Sequence, residues 1–134
     1  MIGEWVPADT GISAIDPQRL QQFAAQAETL KSDADAVRQA LGEEALQQAR
    51  GWLRLEESAW QEAISALAEK DLFPLAVFFT LAENAFSGWQ CGARNPAIWL
   101  FRHMKEKGNL PDKTEVRALK TLTDNRYIPY GSAL

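Results

Sequence analysis

Apolar residues follow two distinct patterns along this chain. From Phe23 to Leu41 they recur at alternating intervals of four and three, through Ala27, Leu30, Ala34 and Val37. That spacing keeps one helical seam facing a neighbour. Leu20 and Ala24 widen the seam near its start. Asp16 followed by Pro17 predicts the beginning of this helix: a carboxylate can accept from the first turn, and proline has a preset backbone angle. Ser32-Asp33 can cap a new turn, and Gly42 closes the segment. A second helix begins at Glu43 and carries Leu46, Ala49, Leu53, Trp60, Ile64 and Leu67, with a gap at Glu56 and Glu57. A break near Leu55 would put both glutamates in the first turn of a new helix. The other reading turns one of them inward, against Arg54 or His103, as a buried acid of functional interest.

The second pattern is continuous. Leu72 to Phe86 is apolar on every side, and a helix of that kind is buried on every side. Starting at Leu72, it holds Pro74 in its first turn, where a missing N–H costs nothing, and it runs to about Ala85. Ser87, Gly88, Gly92 and Asn95-Pro96 then mark a loop. Asn95 caps the next helix, which passes through Ile98, Phe101 and Lys105 to Lys107 and stops at Gly108. After the turn Asn109-Leu110-Pro111, Asp112 caps a last helix, Lys113–Leu122. Val116, Leu119 and Leu122 form its apolar side, and Lys113, Arg117 and Lys120 lie on another. No stretch alternates long enough for a sheet. The expectation is an all-α single domain over 1–134: a helical bundle of about five helices around a buried central one. Residues 1–15 form an extended arm and 123–134 an irregular tail. The Phe23–Leu41 seam is expected to pack on Glu43–Leu53 of the same chain; its other use would be a homodimer.

Composition narrows the class. A chain of 134 residues is long enough to bury roughly two thirds of its unfolded surface. With one cysteine, Cys91, and one histidine, His103, it can hold neither an intrachain disulfide nor a four-ligand Cys/His zinc site, and no cofactor is implied. The N-terminus MIGEWVPADTG lacks the basic-then-apolar order of a secretory signal. The run Leu72–Ala82 is well short of the roughly 20 residues of a membrane span. A cytoplasmic protein without a membrane partner is expected. The net charge of −4 is unevenly spread: residues 1–90 hold 6 Lys/Arg against 14 Asp/Glu, and residues 91–134 hold 8 against 4. The two parts can attract each other within the fold, or the basic part can meet an acidic partner.

Candidate chemistry is sparse. The chain has no glycine-rich phosphate loop ending in Lys-Ser/Thr, no G-x-S-x-G elbow and no H-E-x-x-H pair. Cys91 in GWQCGARNP would serve as a nucleophile only if Arg94 favoured its thiolate and His103 returned as base. The plainer reading is a small thiol packed under the loop. The basic residues Arg94, Arg102, Lys105, Lys107, Lys113, Arg117, Lys120 and Arg126 accompany Trp89, Trp99, Tyr127 and Tyr130. Cations and stacking aromatics suit nucleic acid, and two helices joined at Gly108 loosely resemble a helix-turn-helix. The chain is acidic overall, however, which disfavours that reading. Trp, Tyr and Arg are also the usual anchors of protein interfaces.

The leading expectation is therefore a non-catalytic interaction or regulatory module. It would bind a protein partner through the 87–95 loop and the basic C-terminal face: Trp89, Cys91, Arg94, Trp99, Arg102, His103, Lys113, Arg117, Lys120 and Tyr127. On this view the pair Trp89→Ala and Arg94→Ala spares the fold and abolishes binding. Nucleic-acid binding by the C-terminal third is the alternative, followed by a small enzyme using Cys91 or a buried glutamate.

Overall fold

The computed structural model describes residues 15–129. Among the described residues the regular structure is all helical, with eight α-helices, one 3-10 turn and no strand. The expected count of about five is too low because the first seam is broken into α1 (Pro17–Ala25), α2 (Ala27–Leu30) and α3 (Ala34–Leu41), and the segment after Gly42 divides into two helices near Leu55. Asp16 caps α1, accepting the Gln18 N–H at 3.0 Å. At Gln26 the backbone leaves the helical region, at φ −97° and ψ 0°. The pause at Ser32-Asp33 occurs as expected: the Asp33 carboxylate accepts the Ala36 N–H at 3.0 Å and starts α3. A side-chain acceptor at this position competes with helix continuation.

After Gly42 comes α4 (Glu43–Trp52), then a turn, then α5 (Glu57–Ser65). The break near Leu55 is present, with Glu56 as the N-cap residue and Glu57 in the first turn. Neither glutamate is buried. Trp60 locks the junction: its indole N–H donates to the Trp52 carbonyl at 3.0 Å, at the end of α4.

The central helix, α6, is Glu69–Ala85. It begins three residues before the expected Leu72, so Pro74 lies inside the helix rather than in its first turn. The acidic residues Glu69 and Asp71 favour the earlier start by facing the positive end of the helix dipole. The Lys70 carbonyl, which Pro74 cannot serve, belongs to an exposed residue open to water. From Leu75 to Thr80 every residue of α6 is buried.

Helices α1 and α2 pack chiefly on α6, while α3 meets α4, so the expected pairing of the seam with Glu43–Leu53 is corrected for its first two helices and kept for its last. Aromatic stacking is the reason: Phe23 lies face to face with Phe78, centroids 4.7 Å apart and planes 8° apart. Phe23, Leu30 and Val37 are all buried, so the seam is used within the chain.

On another side α6 meets α7 (Pro96–Lys107), which in turn packs on α5. Gly108 ends α7 in the left-handed region at φ 73°, and the Asn109 N–H reaches back to the Met104 carbonyl at 2.9 Å. Helix α8 (Lys113–Lys120) stops two residues short of the expected Leu122. It starts with a capping box between Asp112 and Glu115. Beside α8 runs an apolar groove of about 370 Å³, floored by Phe73, Pro74 and Val77 of α6 and rimmed by Leu119 and Leu122.

Residues 121–129 are irregular and fold back as a strap. Ile128 is buried in the core, and Lys120 Nζ holds its carbonyl at 2.8 Å. The 1–14 part of the expected arm, and Tyr130 with the end of the tail, lie outside the described residues. One apolar cluster links Ile15 through the helices to Ile128. Among the described residues no helix is long and apolar enough to cross a membrane.

Candidate functional site

The 87–95 loop is organised by a residue the sequence pattern did not single out. Glu83, in the last turn of α6, is buried. Its Oε2 accepts the backbone N–H groups of Cys91 and Gly92, each at 3.2 Å. Asn125 Nδ2, from the strap, donates to both carboxylate oxygens at 3.1 Å and to the Gly92 carbonyl at 2.9 Å. The Glu83 main-chain carbonyl takes Gln90 Nε2 at 2.6 Å. A buried carboxylate costs several kcal/mol to desolvate, and oriented donors are what offset that cost. At the other end of the loop, Asn95 caps α7 through the Ala97 N–H at 2.7 Å and donates to the Phe79 carbonyl at 3.2 Å.

The loop therefore carries Trp89 into the core, not out of it. The indole is 2% exposed. It stacks on Phe79 at 6.1 Å and meets Phe23, Phe78 and Phe86 edge-on or tilted. The expectation that Trp89 is presented to a partner is corrected by this contact set: the ring is a core side chain.

Cys91 sits half-buried beneath the loop, its Sγ 3.7 Å from Glu83 Oε2. Burial, reinforced by the charge and hydrogen bond of Glu83 and opposed by Arg94, pushes its thiol up to about 12. Near neutral pH the sulfur therefore keeps its proton, so Arg94 does not prepare a thiolate. Arg94 is instead a strap: its Nη2 donates to the Arg54 and Leu55 carbonyls at 3.0 and 3.4 Å, tying the 3-10 turn Gly92–Arg94 to the α4–α5 connection.

On the α5–α7 side, Arg102 pairs with Glu57 at 2.9 Å and lies over the Trp99 ring at 5.2 Å. Trp99 is itself buried, and its indole N–H meets no acceptor among the described residues. Gln61 Nε2 donates to the Trp99 carbonyl at 3.0 Å, which turns its Oε1 toward His103 Nδ1 at 3.2 Å. His103 thus faces Gln61, not Cys91, and the proposed thiol–imidazole pair is not assembled.

Lys113, Arg117 and Lys120 are exposed on α8, on the side away from the groove lined by Glu115, Ala118 and Leu119. Tyr127 is partly buried in the strap. Its N–H donates to Asn125 Oδ1 at 2.9 Å, and its hydroxyl accepts Arg126 Nη2 at 3.2 Å. The sequence grouped the loop and the α8 cations on one surface, but the fold places them apart. The loop closes the C-terminal end of α6, whereas α8 lies along Phe73, Pro74 and Val77 near its other end.

The residues missed in the sequence are Glu83, Asn125, Gln61 and Arg50, while Arg54 entered it only as a partner for a buried glutamate. Glu83 alone gave a signal, as an acid in the last turn of an otherwise apolar helix. Among the described residues no group of three or more His, Cys, Asp or Glu is arranged to hold a metal ion. No protein-family model, curated protein or solved structure matches the chain.

Proposed function

We propose that the chain is a non-catalytic cytoplasmic interaction or regulatory module that binds an acidic region of a protein partner through the outer face of α8. The observation that carries this reading is the alignment of Lys113, Arg117 and Lys120 on one exposed side of α8, opposite its apolar side. The distribution of ion pairs supports it. Among the described residues, Lys31–Glu28, Arg38–Asp35 and Arg38–Glu43 lie within the acidic part of the chain, and Arg102–Glu57 joins the two parts. Of the α8 cations, Lys120 Nζ is held by the Ile128 carbonyl, while Lys113 and Arg117 are exposed on the outer side and form no ion pair among the described residues. The protonated Cys91 thiol and the fully engaged Glu83 carboxylate favour binding over catalysis.

The test is capture of partners from native lysate, with and without nuclease, by the full chain and by its Lys113→Glu/Arg117→Glu variant. This reading expects a protein that survives nuclease and is lost on charge reversal. Capture that is indifferent to charge reversal overturns it. Partners that disappear with nuclease would instead place nucleic acid on this face, with the steep salt dependence such contacts carry.

A further inference from the structure

A second concentration of positive charge lies beside the 87–95 loop, separate from α8. A cleft of about 310 Å³ is lined by Arg50, Arg54 and Arg94, together with Gly88, Gln90 and Cys91, and no carboxylate lines it. The three arginines come from separate places: Arg50 from the last turn of α4, Arg54 from the turn after it, and Arg94 from the 3-10 turn. We propose that this cleft binds a doubly charged oxyanion, the phosphoryl group of a small phosphate ester.

Charge is the first argument. Among the described residues none of the three arginines belongs to an ion pair. Two of the nearby acids are already engaged. Glu83 is held by the loop amides and Asn125, and Glu43, in the adjoining cleft with Arg50, is 3.4 Å from Arg38. Three like charges around one hollow repel one another, and an anion between them reverses the sign of that interaction. The dipole at the end of α4 accounts for Arg50, and the carbonyls of Arg54 and Leu55 account for one nitrogen of Arg94. Neither accounts for Arg54 or for the convergence.

Pre-organisation is the second argument. Arg94 spends only Nη2 on the two carbonyls, so its guanidinium is fixed while Nε and Nη1 make no other hydrogen bond among the described residues. The Arg50 guanidinium lies against Gly88: a Cβ at that position would stand 2.8 Å from Arg50 Cζ and Nε, and the backbone there has φ +83°. Glycine leaves room for this approach and tolerates the left-handed backbone. Planar guanidinium forks match the oxygens of phosphate in pairs. Three positive charges suit a dianion better than a single carboxylate. The volume is at the low end for small-molecule sites, adequate for a phosphoryl group whose ester portion extends into solvent.

The probe is inorganic phosphate, titrated into the full chain by calorimetry at ionic strength held constant with chloride, with backbone amide shifts recorded in parallel. Saturable binding is expected, with shifts concentrated at residues 88–92. Arg50→Gln and Arg54→Gln should each weaken it about tenfold or more. Both side chains are exposed, so an unchanged circular dichroism spectrum certifies the variants. Arg54→Lys, which keeps the charge and loses the fork, should fall between. No binding beyond the chloride control overturns the proposal. So does phosphate affinity that is unaltered in both glutamine variants, or shifts that gather at 113–120.

Discussion

Glu83 and Asn125 stand 42 residues apart in sequence, yet one amide group of Asn125 reaches both oxygens of the Glu83 carboxylate at 3.1 Å. The same amide touches the Gly92 carbonyl, so three chain segments meet at this contact. Replacing Glu83 with alanine leaves two loop N–H groups and Asn125 without their acceptor, and should cost about 2–4 kcal/mol in urea unfolding. Asn125→Ala should cost about 1–3 kcal/mol. The double variant should lose less than the sum of the two, with a coupling of about 0.5 kcal/mol or more. Strict additivity would mean that the contact contributes nothing of its own.

Cys91 should react slowly with a thiol reagent in the folded protein at pH 7–8 and quickly once the chain is unfolded. The folded thiol is raised to about 12, whereas a free thiol titrates near about 8.5. The sign follows from the extra proton affinity of the folded state. This contribution to stability is complete below the unfolded value and is lost as pH rises from there towards about 12. A stability curve that instead climbs across this alkaline range would contradict the assignment.

Trp89→Ala should destabilise by about 3–5 kcal/mol, the usual cost of removing a buried aromatic. The double variant with Arg94→Ala therefore fails as a clean test of binding, because it damages the core. Thermal unfolding of Trp89→Ala alone decides the matter: a melting temperature equal to that of the parent would return the indole to the surface.

Gly108→Ala should cost about 1 kcal/mol. Nothing lies within 4 Å of the position a Cβ would take, so the penalty is backbone strain at φ +73° and not a clash. Chemical denaturation of this variant isolates the term, and a neutral substitution would show that α7 does not depend on a left-handed stop.

Local signals in the sequence were reliable where the cause was local. The caps at Asp16, Asp33, Asn95 and Asp112, the stop at Gly108 and the break before Glu57 all depend on atoms within a few residues. The break at Gln26 has no such chemistry, which is why α1 and α2 read as one helix. Trp89 was misread because its neighbours Gly88 and Gln90 are polar or small. Its burial comes from Phe23, Phe78, Phe79 and Phe86, which the chain brings together only in three dimensions. The candidate site was harder still. Arg50 and Arg54 look like ordinary helix-end cations until Arg94 arrives from 40 residues away to bond the Arg54 carbonyl.

The position of Glu83 also governs how this end of the molecule opens. The Cys91 and Gly92 amides and the Asn125 side chain share one acceptor group, so the loop cannot lift without loosening the strap. The two segments form a single opening unit. In hydrogen exchange, the Cys91, Gly92 and Tyr127 amides should therefore exchange together, through one event whose free energy is that of breaking the hold on a single carboxylate.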